Sequence, residues 1–158
     1  NNVGAMAHIA ECADFGNGRY RLNCVMGERI RVLEWHPDDP YPRAAIEVWP
    51  DEPGEPVDVA AIRDIEDRMV GLFERIGAAR GRPVDGRAVI AGADASGDVS
   101  TWVYALASRL PMGQADRYAV LAAPTVADRV AALSDALETV SAMVEFQLSA
   151  GGGDQPDR

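Results

Sequence analysis

The sequence contains no lysine, and this absence excludes several classes of enzyme. All fifteen basic residues are arginine. A Walker phosphate loop, a pyridoxal enzyme and a serine–lysine dyad each need a lysine amine. Arginine cannot act as the base in its place, because the guanidinium stays protonated at physiological pH. We therefore predict a non-catalytic protein that needs no cofactor.

Histidine is also scarce, which limits metal binding and acid–base catalysis. His8 falls in a predicted strand and His36 in a proline-rich turn. His36, Asp38 and Asp39 are possible ligands, but a structural metal site needs about four, and no further His or Cys is spaced to join them. We interpret this segment as a solvated turn and predict no metal site.

Only two cysteines are present, on either side of a predicted β-hairpin. Asn17-Gly18 is a strong signal for a two-residue turn, and this turn would pair Phe15 with Tyr20. In that register Cys12 and Cys24 point to opposite faces of the sheet, so a disulfide is disfavoured. We predict free, buried thiols, although a one-residue bulge near the turn would reverse the argument about faces.

Basic charge and long apolar runs are both lacking. The formal net charge is −10, which repels nucleic-acid phosphates and anionic lipid headgroups. No stretch approaches the roughly eighteen apolar residues of a membrane helix, and Asn1-Asn2-Val3-Gly4 is unlike the start of a signal peptide. We predict a cytoplasmic protein with no nucleic-acid or membrane partner.

What the sequence does contain is a change of hydrophobic period. Up to about residue 50 the pattern alternates, which predicts strands at 20–26, 29–35 and 43–49. An acidic, proline-rich stretch follows, and beyond it the period becomes about 3.6, as in helices. The sequence predicts an α+β protein with a β subdomain at 1–56, a helical subdomain at 57–149 and a disordered tail at 150–158.

Four helices are predicted in the second half. The first spans 58–79, with Asp58 as its N-cap and Gly81 as its stop. The second is capped by Asp98 or Ser96 and ends at Leu110, and the third covers about 114–123. Thr125 and Asp128 form a variant capping box for a long helix at 125–149. The glycine-rich residues 81–97 are predicted to be a connector, and the acidic loop at 91–98 an ordinary helix entry rather than a phosphate site.

Several segments resemble the amino-terminal substrate-binding domain of Lon proteases. In that family a G-x-x-R-F-R-V strand leads into a proline-containing Y-x-x-A turn and strand, and an earlier strand reads V-G-T-x-A-x-I. The similar segments here are 3–9 (VGAMAHI), 27–35 (GERIRVLEW) and 37–44 (PDDPYPRA). Leu110-Pro111-Met112 and residues 121–130 (LAAPTVADRV) are similar to the family's L-P-L and R-L helix region. The resemblance covers about residues 3–149.

The resemblance implies a β-rich, PUA-like pseudobarrel followed by a bundle of about four helices, used to engage unfolded or tagged substrates. The family's first strands have no counterpart in this sequence. The barrel is therefore expected to be incomplete at its amino-terminal side, with the missing strands on an upstream segment or on another chain. The pattern is similar to stand-alone proteins of this family from high-GC bacteria.

We predict a module that binds unfolded or extended polypeptides, with a protease as a candidate partner. An unpaired sheet edge can receive an extended peptide, and Trp35, Tyr41 and Trp49 are the candidate anchors. The more ordinary interpretation of the same aromatics is that they belong to a core or to an interface between subdomains. Two alternatives remain: oligomerisation through the long helix at 125–149, and RNA binding around Arg19, Arg21, Arg29 and Arg31. The oligomeric state is left open.

Overall fold

The computed structural model describes residues 1–94 and 97–151. The chain divides into two compact units, and the boundary falls between Asp51 and Glu52. The sequence placed this boundary after residue 56. Strands occupy the first unit and helices the second. The predicted α+β class with a helical carboxyl-terminal part is confirmed.

The first unit is a three-stranded antiparallel sheet of order β1-β2-β3. The strands are β1 (Val3–Asp14), β2 (Tyr20–His36) and β3 (Arg43–Val48). β2 is one long strand where the sequence predicted two. Near Gly27 the pairing with β1 shifts register, but the chain makes no turn there. The alternating pattern of β2 thus continues on both sides of the irregularity.

Next to the turn, the hairpin register differs from the predicted one by one residue. Asp14 lies opposite Tyr20, so the predicted pairing of Phe15 with Tyr20 is wrong. The turn spans residues 15–19 and is closed by the amide of Phe15, which donates to the carbonyl of Arg19 at 2.8 Å. Gly16 has φ +77° and joins Asn17 and Gly18 in the left-handed region, so the loop is longer than a two-residue turn.

The second unit contains five helices: α1 (Val59–Ala79), α2 (Gly86–Ile90), α3 (Val99–Arg109), α4 (Gln114–Ala122) and α5 (Val126–Gly151). The Asp58 carboxylate accepts from the amide of Ala60 at 2.8 Å, which confirms the predicted N-cap. The Thr125 hydroxyl accepts from the amide of Asp128, whose carboxylate accepts from Thr125 in return. These caps satisfy amides that have no partner within the helix.

One short helix of the second unit is not among the four predicted from the sequence. α2 lies inside the predicted connector, and Asp85 caps it by accepting from the amides of Arg87 and Ala88. Five residues are too few to show a helical period, so only the cap signals it. Asp98 caps α3 through the amide of Thr101. The alternative cap Ser96 and most of the predicted tail, 152–158, lie outside the described residues.

The core of the second unit is aliphatic, as the low aromatic content indicates. It forms where α1, α3 and α5 pack together, and α4 packs along α5. Among the residues that the structure describes, no helix is both long and apolar enough to span a bilayer. The fully enclosed apolar side chains are Ile62, Met69, Leu72, Val103, Leu106, Leu110, Leu133 and Leu137.

Candidate functional site

The three aromatic candidates do not form a single site. Trp35 is 57% exposed on β2, and Tyr41 is 63% exposed in the turn before β3. Trp35 pairs with Ala44, whereas Trp49 continues the ladder opposite Arg29. Since alternate residues of β3 point to opposite faces, Trp35 and Trp49 lie on different faces of the sheet. A single pocket cannot contain both indoles.

Trp49 is held by two arginines that project from β2. The guanidinium carbons of Arg29 and Arg31 lie 4.1 Å and 4.0 Å from the centroid of the Trp49 ring. Arg29 also donates to the Trp49 carbonyl and pairs with Asp51 at 2.9 Å. This cluster stabilises the end of β3 and the chain leaving it. Trp49 therefore has a structural role in the sheet.

The outer part of the hairpin extends beyond β3. β3 pairs only with residues 30–36 of β2, so residues 7–14 of β1 and 20–26 of β2 form a two-stranded ribbon. We call this ribbon the hairpin arm. Nothing in the described part of the chain pairs with the outer edge of β1. Within the same described residues, residues 20–26 of β2 have no partner on their other side either, so the arm offers two open faces and two open edges.

The two faces of the hairpin arm differ in polarity. Direct cross-strand partners share a face, so Ile9 with Cys24 and Cys12 with Leu22 lie on one side. On the other side the Asn23 amide donates to the Glu11 carboxylate at 2.7 Å. The first side is the apolar face of the arm, and apart from Asp14 at the turn it consists of Ala7, Ile9, Cys12, Tyr20, Leu22, Cys24 and Met26.

This apolar face is open to solvent. Ile9, Tyr20 and Met26 are 60–63% exposed, and Leu22 is 49% exposed. The sequence predicts the alternation from Tyr20 to Met26 but not the exposure of these side chains. Alternation looks the same whether a face is buried or open, so the periodicity alone could not identify this surface.

Both cysteines lie on the apolar face, contrary to the sequence prediction. They are free, as predicted, but both are exposed rather than buried. Because the longer turn shifts the register by one residue, Cys12 lies opposite Leu22. Leu22 and Cys24 are two residues apart on β2 and therefore share a face. The two thiols are therefore diagonal neighbours on one face, a separation wider than the usual disulfide span.

We expect both thiols to react rapidly with a small maleimide in the folded protein, without denaturant. Exposure on an open ribbon leaves no packing barrier to the reagent. Mass spectrometry after brief labelling should find Cys12 and Cys24 modified at similar rates. Labelling that requires urea would contradict the open face and support the buried thiols that the sequence predicted.

Comparison with known families agrees with the motifs of the sequence. The family model described as the ATP-dependent protease La (LON) substrate-binding domain matches residues 1–139. No curated protein matches the chain. The matched range contains all three strands and the first four helices. The chain belongs to the family of Lon substrate-binding domains, a non-catalytic domain of Lon protease.

Proposed function

We propose that this chain recognises unfolded or extended polypeptides through the hairpin arm. The observation that carries the proposal is the segregation of the arm into an apolar face and a polar face, with the apolar face open. Contiguous exposed apolar surface of this kind marks interaction sites on folded proteins. A client that exposes apolar side chains would cover the face.

The first unit gains little stability from its own side chains. All of its described hydrophobic residues lie outside the buried core, which belongs to the helical unit. Covering the exposed half of a side chain such as Leu22 is worth about 1 kcal/mol. Several such contacts together provide a binding energy that depends on hydrophobicity and only weakly on sequence.

The open edge of β1 supplies a second contribution. An extended peptide can add to a free edge through main-chain hydrogen bonds, which are independent of the client's side chains. Edge pairing and an adjoining apolar face suit unfolded segments of many sequences. Folded proteins pair most of these groups internally, so they offer far fewer of them than an unfolded segment does.

The alternatives receive less support. The net charge of −10 opposes RNA, and two of the arginines suggested for it, Arg29 and Arg31, stack on Trp49. Oligomerisation through the long helix needs a free apolar stripe along it. The middle of that stripe, Leu133 and Leu137 of α5, is enclosed within the chain, and the exposed apolar side chains such as Phe146 lie near the carboxyl-terminal end of the helix. Polypeptide binding is therefore the function that we propose.

The role of such binding would be adaptor-like. The chain has no lysine to serve as a peptidase base or a phosphate clamp, so its residues can hold a client but cannot cleave it through that chemistry. We propose that it presents clients to a protease or protects them on its own. A cytoplasmic location stays a prediction of the sequence.

The proposal is tested by introducing one charge into the apolar face. Leu22→Asp is expected to weaken binding of a permanently unfolded, fluorescently labelled model protein about tenfold or more, because a carboxylate would be desolvated against an apolar client. Fluorescence anisotropy would measure the affinity. The folded form of the same model protein should not bind.

Val25→Asp is the matched control. Val25 is 60% exposed on the same strand but lies on the polar face, opposite His8. The substitution has a similar effect on strand propensity without touching the proposed surface. Equal weakening by both substitutions, or unchanged binding with Leu22→Asp, would refute the proposed site.

A further inference from the structure

A groove on the helical unit lies between the carboxyl-terminal ends of α1 and α5. Its volume is about 300 Å³, and Pro111 from the α3–α4 connector contributes to its wall. Seven of its nine lining side chains are apolar, among them Ile76 and Leu148. Leu148 is 41% exposed and the adjacent Met143 54%, so the apolar lining is open to a ligand.

The two polar side chains of the groove are Arg80 and Gln147. Within the described residues, the Arg80 guanidinium makes no ion pair or side-chain hydrogen bond. It is not needed as a helix cap either, because the carbonyls of Gly77 and Ala78 already accept from the amides of Arg82 and Gly81. A cation therefore stands beside an apolar groove with its donors available.

We infer that this groove binds the carboxyl-terminal end of a polypeptide whose last residues are apolar. The Arg80 guanidinium donates to the terminal carboxylate, and the apolar walls contact the last side chains. The volume lies at the lower end of the range for small-ligand sites, which suits a few residues rather than a long segment. The inference rests on the proposed function, since it assumes polypeptide clients.

Charge favours a chain end over an acidic stretch. A protein with net charge −10 repels a segment that carries many negative charges. A single terminal carboxylate experiences much less of this repulsion, and its contact with one guanidinium adds a local attraction. A fatty acid has the same carboxylate but no peptide N–H. The Gln147 side-chain carbonyl can accept a hydrogen bond from the amide N–H of a peptide's last residue. We therefore assign the groove to the carboxyl-terminal end of a polypeptide.

The test compares two labelled peptides, Gly-Ser-Gly-Ser-Val-Leu with a free carboxyl terminus and the same peptide as an amide. Fluorescence anisotropy with the full chain should show the free acid binding at least fivefold more tightly. Arg80→Gln should reduce the affinity for the acid to that for the amide. Arg82→Gln, which removes an exposed arginine outside the groove lining, should retain the preference.

Each other outcome overturns the inference. Equal affinity for the acid and the amide would show that the groove does not contact the terminal carboxylate. Arg80-dependent binding of decanoate with no binding of either peptide would make the groove a fatty-acid site. A dimer in light scattering that Leu148→Asp dissociates would show a second copy covering it.

The same experiment distinguishes this inference from the proposed function. Leu22→Asp on the hairpin arm should leave the preference for the free acid unchanged, because the peptides need only the groove. If unfolded protein binds through the arm while acid and amide bind equally, only the groove assignment fails. If neither probe binds, both fail.

Discussion

Replacing Arg129 with alanine is expected to lower the free energy of unfolding by about 3 kcal/mol. Arg129 has no solvent exposure, although it is an arginine. Its Nη1 donates to the Ser100 hydroxyl at 2.7 Å, and its guanidinium carbon lies 4.2 Å from the centroid of the Tyr104 ring. Alanine removes both contacts and leaves a cavity between α3 and α5.

Urea denaturation followed by circular dichroism would measure the loss. Arg63→Ala, on the exposed side of α1, is the control and should change the stability by less than about 0.5 kcal/mol. Arg129→Lys should recover only part of the loss, because an ammonium cannot stack as a planar guanidinium does. A loss below about 1 kcal/mol with Arg129→Ala would mean that the guanidinium is not enclosed as described.

Arg129 also shows what a motif can and cannot predict. It lies in residues 121–130, which resemble the family's R-L helix region, and the sequence placed it correctly on a long helix. Nothing in the periodicity indicated burial, since an arginine on a helix is ordinarily read as solvated. The contact with Tyr104 joins two helices, and such a pairing depends on tertiary packing that local patterns do not encode.

Helices were predicted better than the sheet for a physical reason. The caps at Asp58 and at Thr125 with Asp128 act over three residues, so the sequence contains the whole interaction. The hairpin register depends instead on the conformation of Gly16 in the turn, and one residue of difference moved Cys12 to the face of Cys24. The candidate site follows from that register, so the sequence alone could not locate it.

Gly86→Ala is expected to destabilise the helical unit by about 2 kcal/mol, although alanine is the better helix former. A Cβ at Gly86 would lie 2.6 Å from the Val70 carbonyl oxygen and 2.9 Å from the Val70 Cα. Both atoms belong to the backbone of α1, so no side-chain rotation can relieve the overlap. α2 would have to move away from α1, losing the contact that buries Ile90.

Gly71→Ala provides the matched comparison and should have the opposite sign. Gly71 lies inside α1, and a Cβ there would meet no atom within 4 Å. Alanine should therefore stabilise the protein by about 0.5–1 kcal/mol, because it restricts the unfolded chain and favours the helix. Thermal and urea unfolding would measure this effect. The free energies of unfolding of the two variants should differ from each other by about 3 kcal/mol. If both substitutions stabilise the protein, α2 does not pack closely on α1, and residues 86–90 are better described as part of the connector that the sequence predicted.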